Sequence, residues 1–166
     1  MAGLDFSRLR ILIVDDNTFS RRIASFALRA LNIHGVSEAE SAESGYAALQ
    51  SSAPDLILAD WVMQPIDGLA FTKRVRADKA GGFRYVPIIM VSGFSEIWRV
   101  REARDAGANE YIVKPFSAKI LYTKLKTLID VPRPFVEVPS GYFGPDRRRH
   151  DHPFAGTDRR GAKKPS

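Results

Sequence analysis

The stretch DLILAD, residues 55–60, is a short, continuous apolar run that ends in a carboxylate. Such runs are typical of a strand that is buried on both faces, as in a parallel sheet covered by helices. RILIV at residues 10–14 and the segments at residues 86–91 and 110–113 have the same character, and residues 36–39 form a weaker strand candidate. We therefore expect five strands.

Helix-forming segments separate these strands. The first begins at Asn17 or Thr18, where either residue can cap a helix, and Gly107 stands where a helix commonly ends. The other expected helices cover residues 44–51, 69–79, 95–106 and 117–130. Strand and helix alternate five times, which predicts a doubly wound α/β domain.

Polar residues follow the predicted strands, at the edge where ligands bind in such sheets. A lone aspartate at a strand end is usually a turn residue or a helix cap. An acid pair, an acid, a hydroxyl and an ammonium at successive strand ends are much harder to explain in that way, so we interpret them as one site. Its members are Asp15, Asp16, Asp60, Ser92 and Lys114.

The chemistry of this set indicates phosphoryl transfer. Crowded carboxylates repel one another and call for a cation, and ligation by oxygen alone suits Mg²⁺. Asp60 can act as a nucleophile toward a phosphoryl group. Mg²⁺ and the Lys114 ammonium would then neutralise the charge on the transferring oxygens, and the Ser92 hydroxyl could donate to one of them.

Residues 9–130 resemble the receiver domain of two-component response regulators of the CheY-like kind. The matching pieces are Asp15-Asp16, the loop DWVMQPIDG that starts at Asp60, Ser92-Gly93 and Lys114-Pro115-Phe116. The resemblance implies a five-stranded sheet in the order 2-1-3-4-5, for which CheY is a known example. It also implies that Asp60 accepts a phosphoryl group from a histidine kinase.

The same resemblance assigns the remaining roles in the pocket. Asp15, Asp16 and Asp60 would hold Mg²⁺ together with the backbone carbonyl of Val62. Ser92 would be the switch hydroxyl, and Tyr111 would be the switch aromatic residue.

The composition changes near residue 130. Residues 131–166 hold eight Lys and Arg but four Asp and Glu, so they carry a net charge of +4 out of +6 for the 166-residue chain. Six of the ten prolines also lie there. We therefore expect a receiver domain at residues 1–130, an extended proline-rich linker at 131–140 and a basic, arginine-rich tail at 141–166 that is disordered without its ligand.

The tail contains a near-repeat. GPDRR at residues 144–148 returns as GTDRR at 156–160, and aromatic residues precede both copies. Arginine can bind a phosphate or the O6/N7 edge of guanine, aspartate can accept from guanine's other edge, and aromatic rings stack on bases. Two copies suit a ligand with two guanines and two phosphates, which describes cyclic di-GMP. The aspartates would be a disadvantage in a general polyanion binder.

The tail also resembles the arginine-rich extension of the Cle proteins, CheY-like effectors of cyclic di-GMP. That resemblance implies docking on the flagellar motor switch or on adhesion machinery. The residues expected to contact or flank the dinucleotide are Tyr142, Asp146, Arg147, Arg148, Arg149, Phe154, Asp158, Arg159 and Arg160.

We interpret the chain as a non-enzymatic signalling adaptor that binds cyclic di-GMP and docks on a target. The alternative is a single-domain response regulator controlled by phosphorylation of Asp60, with an incidental basic tail. A nucleic-acid-binding regulator is the least favoured interpretation, because no helix-turn-helix follows the first domain. The chain has no cysteine and no apolar run near the ~20 residues of a membrane span, so we expect a cytoplasmic protein without membrane insertion.

Overall fold

The computed structural model describes residues 4–148, which contain a central parallel sheet of five strands. The strands are β1 (Arg10–Val14), β2 (Gly35–Ala39), β3 (Leu56–Asp60), β4 (Ile88–Ser92) and β5 (Glu110–Val113). Their order across the sheet is β2-β1-β3-β4-β5. This confirms the predicted α/β class and the strand order that the resemblance implied. The register places Val14 beside Ala59, so β1 and β3 end at the same edge.

Five helices connect the strands and cover both faces of the sheet. They are α1 (Thr18–Ala30), α2 (Ala42–Ser52), α3 (Gly68–Ala77), α4 (Ile97–Ala106) and α5 (Ala118–Asp130). Side chains of Asn17, Ser41, Asp67 and Ser117 accept hydrogen bonds from the first turns of α1, α2, α3 and α5. Gly107 ends α4 in the left-handed conformation (φ 105°), as its position in the sequence predicted.

The core is divided by the sheet. On one face, Leu28 of α1 and Leu121 and Leu125 of α5 pack against the strand side chains that point to that face. On the other face, Leu49 of α2 and Phe71 of α3 pack against the strand side chains that point to the opposite side of the sheet. All five residues of β3 are buried. This explains why residues 56–59 form a continuous apolar run rather than an alternating one.

A two-stranded antiparallel hairpin follows α5, with strands β6 (Phe135–Glu137) and β7 (Phe143–Pro145). From the sequence we expect an extended linker at 131–140 and a tail from 141 onward that is disordered without its ligand. The structure adds pairing between two short strands, one in each of these segments. The rings of Phe135 and Phe143 pack against each other and against Tyr85, and this distant partner gives the segment an apolar surface to fold on. The proposed division of the chain into domains stays a prediction.

A buried arginine supports the surface on which the hairpin lies. Arg76 of α3 donates hydrogen bonds to the carbonyls of Gly107, Arg84 and Val86 and to the side-chain oxygen of Asn109. Burial lowers its pKa to about 9, which leaves the guanidinium charged at neutral pH. Its guanidinium carbon also lies 5.0 Å from the centre of the Phe135 ring. The arginine thus ties α3, the start of β4 and the start of β5 together beneath the hairpin.

The hairpin lies at the amino ends of the strands. Arg133, just before β6, donates to the carbonyl of Asn109, which immediately precedes β5. The predicted pocket residue Lys114 follows the other end of β5. The hairpin therefore leaves the carboxyl edge of the sheet uncovered. Among residues 4–148, no helix is both long enough and apolar enough to cross a membrane.

Candidate functional site

Three aspartates meet at the carboxyl edge of the sheet. Asp15 and Asp16 follow β1, and Asp60 ends β3, its neighbour in the sheet. One carboxylate oxygen from each of the three lies within 4.8 Å of the others. Asp15 and Asp60 are buried, whereas Asp16 is exposed. Three negative charges at this spacing repel one another strongly wherever water is partly excluded.

Lys114 reaches the aspartates from the end of β5. Its Nζ donates to Asp60 Oδ1 at 2.7 Å, to Asp15 Oδ2 at 2.9 Å and to Ser20 Oγ at 2.7 Å. Burial alone would lower the pKa of Lys114, but the hydrogen bonds and charges of Asp60 and Asp15 outweigh it and raise that pKa. The ammonium therefore stays charged and joins two strand ends through a single group.

The surroundings of Asp60 disfavour the charged form of its carboxyl group. Burial raises its pKa above the ordinary value, and the charges of Asp15 and Asp16 act in the same direction. The hydrogen bond and charge of Lys114 oppose this rise without cancelling it. Lys114 therefore offsets only part of the cost of keeping Asp60 charged, and its hydrogen bond holds the carboxylate in a fixed orientation.

The predicted switch residues both contact the loop that follows β4. Ser92 is fully buried, and its Oγ accepts a hydrogen bond from the backbone N–H of Phe94 at 3.2 Å. The Tyr111 hydroxyl donates to the carbonyl of Phe94 at 2.6 Å. The Tyr111 ring also packs edge-to-face with the ring of Trp61, the residue that directly follows Asp60. A structural change at Asp60 can therefore be transmitted to the loop before α4 through these contacts.

The residues at this edge fit a magnesium ion. The donor set is three carboxylates with a single lysine as counter-charge, and hard oxygen donors are those that Mg²⁺ prefers. Asp16 is exposed, so a hydrated ion can approach it. Its Oδ2 is oriented by the backbone N–H of Gln64 at 3.2 Å. The backbone carbonyl of Val62 remains the expected further ligand, in a loop where the Val62 side chain is 53% exposed.

Sequence reasoning missed two features of the site. Ser20, in the first turn of α1, accepts a hydrogen bond from Lys114 and so belongs to the pocket. A serine in the first turn of a helix gives no signal of this role in the sequence. The other feature is Arg99, whose guanidinium lies over the rings of Phe94 and Trp98, at 3.9 and 4.5 Å from their centres. Nothing in the local sequence pattern predicts that stacking.

The structure describes part of the predicted nucleotide-binding segment. Arg147 pairs with Asp105 at the end of α4 at 3.0 Å, and its guanidinium lies over the Tyr142 ring. The Tyr142 hydroxyl donates to the carbonyls of Pro145 at 2.7 Å and Arg104 at 3.4 Å. The first copy of the repeat is therefore packed against the α/β domain.

Asp146 lies in a different environment from the one expected of a guanine acceptor. It is buried, and its Oδ1 accepts from the backbone N–H and the Nε of Arg148. Contact with guanine would require this carboxylate to exchange those donors for the base. The other predicted members of the binding segment lie outside the described residues. They are Arg149, Phe154, Asp158, Arg159 and Arg160.

Comparisons with known proteins agree with this geometry. The family model described as the response regulator receiver domain matches residues 11–126. The chemotaxis protein CheY of Pseudomonas aeruginosa is 34% identical over 122 residues, which cover 74% of this chain and 97% of that protein. Chemotaxis protein CheY-3 of Vibrio cholerae is also 34% identical over 122 residues, covering 74% of this chain and 92% of that protein.

Solved structures give the same result. The chemotaxis protein CheY4 of Vibrio cholerae, crystallised at low pH, superposes with a TM-score of 0.65 and 27% identity over 71% of this chain and 96% of that one. A second structure of CheY4 gives a TM-score of 0.62 and 29% identity over 73% of this chain and 96% of that one. The family match covers most of the chain, and the order of the strands and the carboxylate cluster agree with it. The chain therefore belongs to the CheY-like response regulator receiver family.

Proposed function

We propose that this chain is a signalling adaptor that accepts a phosphoryl group on Asp60, binds cyclic di-GMP through its arginine-rich C-terminal segment and docks on a target protein. The observation that carries the first part is the Asp60 carboxylate, held 2.7 Å from the Lys114 ammonium beside two further aspartates. A buried carboxylate with a fixed cation and a cation-binding acid pair is suited to attack phosphorus.

In the proposed reaction, a carboxylate oxygen of Asp60 forms a bond to the phosphorus atom of a phosphohistidine on a histidine kinase. The P–N bond breaks, its electron pair stays on the imidazole nitrogen, and the product is an acyl phosphate on Asp60. The Lys114 ammonium balances charge on the phosphoryl oxygens. When bound by the three aspartates, Mg²⁺ would supply further neutralisation of that charge.

The acyl phosphate would be sensed through Ser92. Ser92 ends β4, which lies beside β3 and its last residue, Asp60. The Ser92 Oγ accepts from the Phe94 N–H, so its own proton can be donated to a phosphoryl oxygen on Asp60. Movement of the Phe94 loop would then break or redirect the hydrogen bond from Tyr111. We propose that this displacement changes the surface that a target recognises.

The test is phosphoryl uptake from phosphoramidate in the presence of Mg²⁺, followed by the intact mass of the full chain. We expect a gain of one phosphoryl group for the wild type and none for Asp60→Asn. Asp130→Asn is the matched control, since it removes an exposed carboxylate from the end of α5. Equal uptake by Asp60→Asn, or no uptake by the wild type, would contradict the assignment of Asp60 as the acceptor.

The cyclic di-GMP proposal is supported by the repeated Gly-x-Asp-Arg-Arg sequence and by the placement of its first copy. Arg147 and Tyr142 both contact the end of α4, so a ligand that engages them also reaches the α/β domain. The aspartates give the segment acceptors for guanine donors, which a general polyanion-binding tail does not need. This property separates the proposal from a non-specific attraction to nucleic acid.

Paired charge-removal variants test the cyclic di-GMP proposal. Arg159→Ala with Arg160→Ala removes two charges from the second copy, and Lys163→Ala with Lys164→Ala removes two charges just beyond it. We expect calorimetry to show at least about tenfold weaker binding of cyclic di-GMP for the first pair only. Equal losses for the two pairs would indicate general electrostatic attraction and contradict recognition by the repeat.

The proposed output is protein docking that adjusts motility or surface attachment. The curated relatives are named as chemotaxis proteins, and the chain has the same family fold over most of its length. A flagellar motor switch protein or a similar target is therefore the partner that we propose. An affinity measurement between the phosphorylated or ligand-bound chain and a purified switch protein tests this step, and the absence of any gain in affinity would contradict it.

A further inference from the structure

The ammonium of Lys114 has an acceptor for each of the hydrogens on its nitrogen. Its Nζ lies 2.7 Å from Asp60 Oδ1, 2.9 Å from Asp15 Oδ2 and 2.7 Å from Ser20 Oγ. Two of these oxygens belong to carboxylates of the pocket, and the third belongs to a neutral hydroxyl on α1. A hydroxyl attracts a cation less strongly than a carboxylate does, so the place of Ser20 beside the lysine calls for a separate explanation.

Ser20 belongs to a closed ring of hydrogen bonds. Asp15 Oδ1 accepts from the backbone N–H of Asn17 at 2.8 Å. The side-chain oxygen of Asn17, which caps α1, accepts from the Ser20 N–H at 2.9 Å. Ser20 Oγ accepts from Lys114, and Lys114 donates back to Asp15. The first turn of α1 thus fixes the serine oxygen relative to the aspartate, and both residues hold the same ammonium.

Lys114 needs this support because its side chain is long and partly open to water. A lysine side chain loses much conformational freedom when its ammonium is fixed in one place. The side chain is 28% exposed, so water competes for the ammonium hydrogens. Asp15 and Asp60 would also share their oxygens with a bound Mg²⁺, whereas the Ser20 hydroxyl lies outside that set of carboxylates. Ser20 is therefore the acceptor that can keep its contact with the lysine when a cation occupies the carboxylates.

We propose that Ser20 is a positioning residue for phosphoryl transfer to Asp60. Together with Asp15 it holds two hydrogens of the Lys114 ammonium, so that the third points to Asp60 and to the phosphoryl group that forms there. The inference rests on the proposed phosphorylation of Asp60. It goes further because it gives α1 a part in the reaction, through a residue that acts on Lys114 rather than on the reacting atoms.

The bonds that form and break are those of the proposed transfer. A carboxylate oxygen of Asp60 bonds to phosphorus, the P–N bond of the donor breaks, and its electron pair leaves on the nitrogen. The Lys114 ammonium keeps all its protons and moves one hydrogen bond from Asp60 Oδ1 to a phosphoryl oxygen. Ser20 keeps its own proton and acts as an acceptor throughout.

The test is the rate of phosphoryl uptake from phosphoramidate in the presence of Mg²⁺, followed by the intact mass of the full chain. Ser20→Ala should react at least about fivefold more slowly than the wild type, because a hydrogen bond to a charged group is lost. Ser20→Thr keeps the oxygen and should stay within about twofold of the wild type. Ser25→Ala is the matched control, since Ser25 lies on the same helix and is not an acceptor for Lys114. A wild-type rate for Ser20→Ala would overturn the positioning role.

A double-mutant cycle separates positioning from a general structural effect. In a Lys114→Ala background, Ser20→Ala should slow the uptake by less than about twofold, because the serine acts through the ammonium. An equal slowing in both backgrounds would assign the effect to structure and overturn the positioning role. No uptake by the wild type would overturn the proposed phosphorylation, and the positioning role with it.

A further measurement needs neither Mg²⁺ nor a phosphoryl donor. Side-chain NMR of the full chain follows the exchange of the Lys114 ammonium hydrogens with water. That exchange should be at least about threefold faster in Ser20→Ala than in the wild type and in Ser25→Ala, because one hydrogen has lost its acceptor. Equal exchange in the three proteins would show that Ser20 does not hold the ammonium, even where Asp60 is phosphorylated as proposed.

Discussion

At the scale of single residues, the charge balance of the aspartate pocket determines its chemistry. Asp15, Asp16 and Asp60 together bring three negative charges, and Lys114 returns one positive charge. The raised pKa of Asp60 reflects burial first and the neighbouring carboxylates second. A divalent cation would restore neutrality without displacing the lysine. We therefore expect the pocket to be more stable when a cation is bound.

Magnesium should accordingly stabilise the folded chain. A ligand at 100 times its Kd stabilises by about 2.7 kcal/mol, which corresponds to a rise in Tm of roughly 5–10 °C for a domain of this size. We expect thermal denaturation to show this rise for the wild type and for Asp130→Asn. The rise should be much smaller for Asp60→Asn, which lacks one ligand carboxylate. An equal response in all three proteins would place the ion elsewhere.

Arg76 is the residue on which the opposite end of the sheet depends. Its guanidinium donates to three backbone carbonyls and to the side-chain oxygen of Asn109, and most of these hydrogen bonds are buried. Arg76→Ala should therefore destabilise the chain by at least about 3 kcal/mol in a denaturant titration. Lys73→Ala, an exposed change on the same helix, should cost less than about 0.5 kcal/mol. Similar losses for both variants would show that Arg76 is not structurally central.

At the scale of elements, the strands were predictable and the hairpin was not. Burial on both faces gives β1, β3 and β4 continuous apolar runs, and this signal is local in the sequence. The hairpin instead depends on Tyr85 and Arg84, some fifty residues away, whose side chains meet the rings of Phe135 and Phe143. No local pattern of three-residue strands contains that information.

The hairpin should contribute measurably to stability. Phe143→Ala removes ring contacts with Tyr85 and Phe135 and the stacked Arg84, so we expect a loss of about 1–3 kcal/mol. Phe19→Ala is the control, because Phe19 is 72% exposed on α1 and its loss should cost less than about 0.5 kcal/mol. Denaturant titration compares the two. A loss for Phe143→Ala no larger than that of the control would show that the hairpin is not packed in solution.

The functional site shows the same division between local and distant signals. The position of five residues at the carboxyl edge of the sheet could be predicted, because each ends or follows a strand with a local signature in the sequence. These residues are Asp15, Asp16, Asp60, Ser92 and Lys114. Ser20 could not, because a serine in the first turn of a helix is ordinary until Lys114 is seen to reach it. The buried position of Asp146 was equally inaccessible, since it depends on the hairpin.

At the scale of the whole molecule, α4 connects the two ends of the domain. It begins just after the loop that Ser92 and Tyr111 contact. Its other end accepts a hydrogen bond from Tyr142 and an ion pair from Arg147. A phosphoryl group on Asp60 and a nucleotide at the C-terminal segment would thus act on one helix. This arrangement is what a single adaptor with two inputs requires.

Recognition of guanine by the C-terminal segment is tested most directly by comparing two cyclic dinucleotides of equal charge. Cyclic di-GMP and cyclic di-AMP are titrated separately into the full chain at physiological salt, with calorimetry as the readout. If the aspartates and arginines recognise guanine edges, cyclic di-GMP should bind at least about tenfold more tightly. Equal affinities, or no binding of cyclic di-GMP, would contradict the proposal that the C-terminal segment senses this nucleotide.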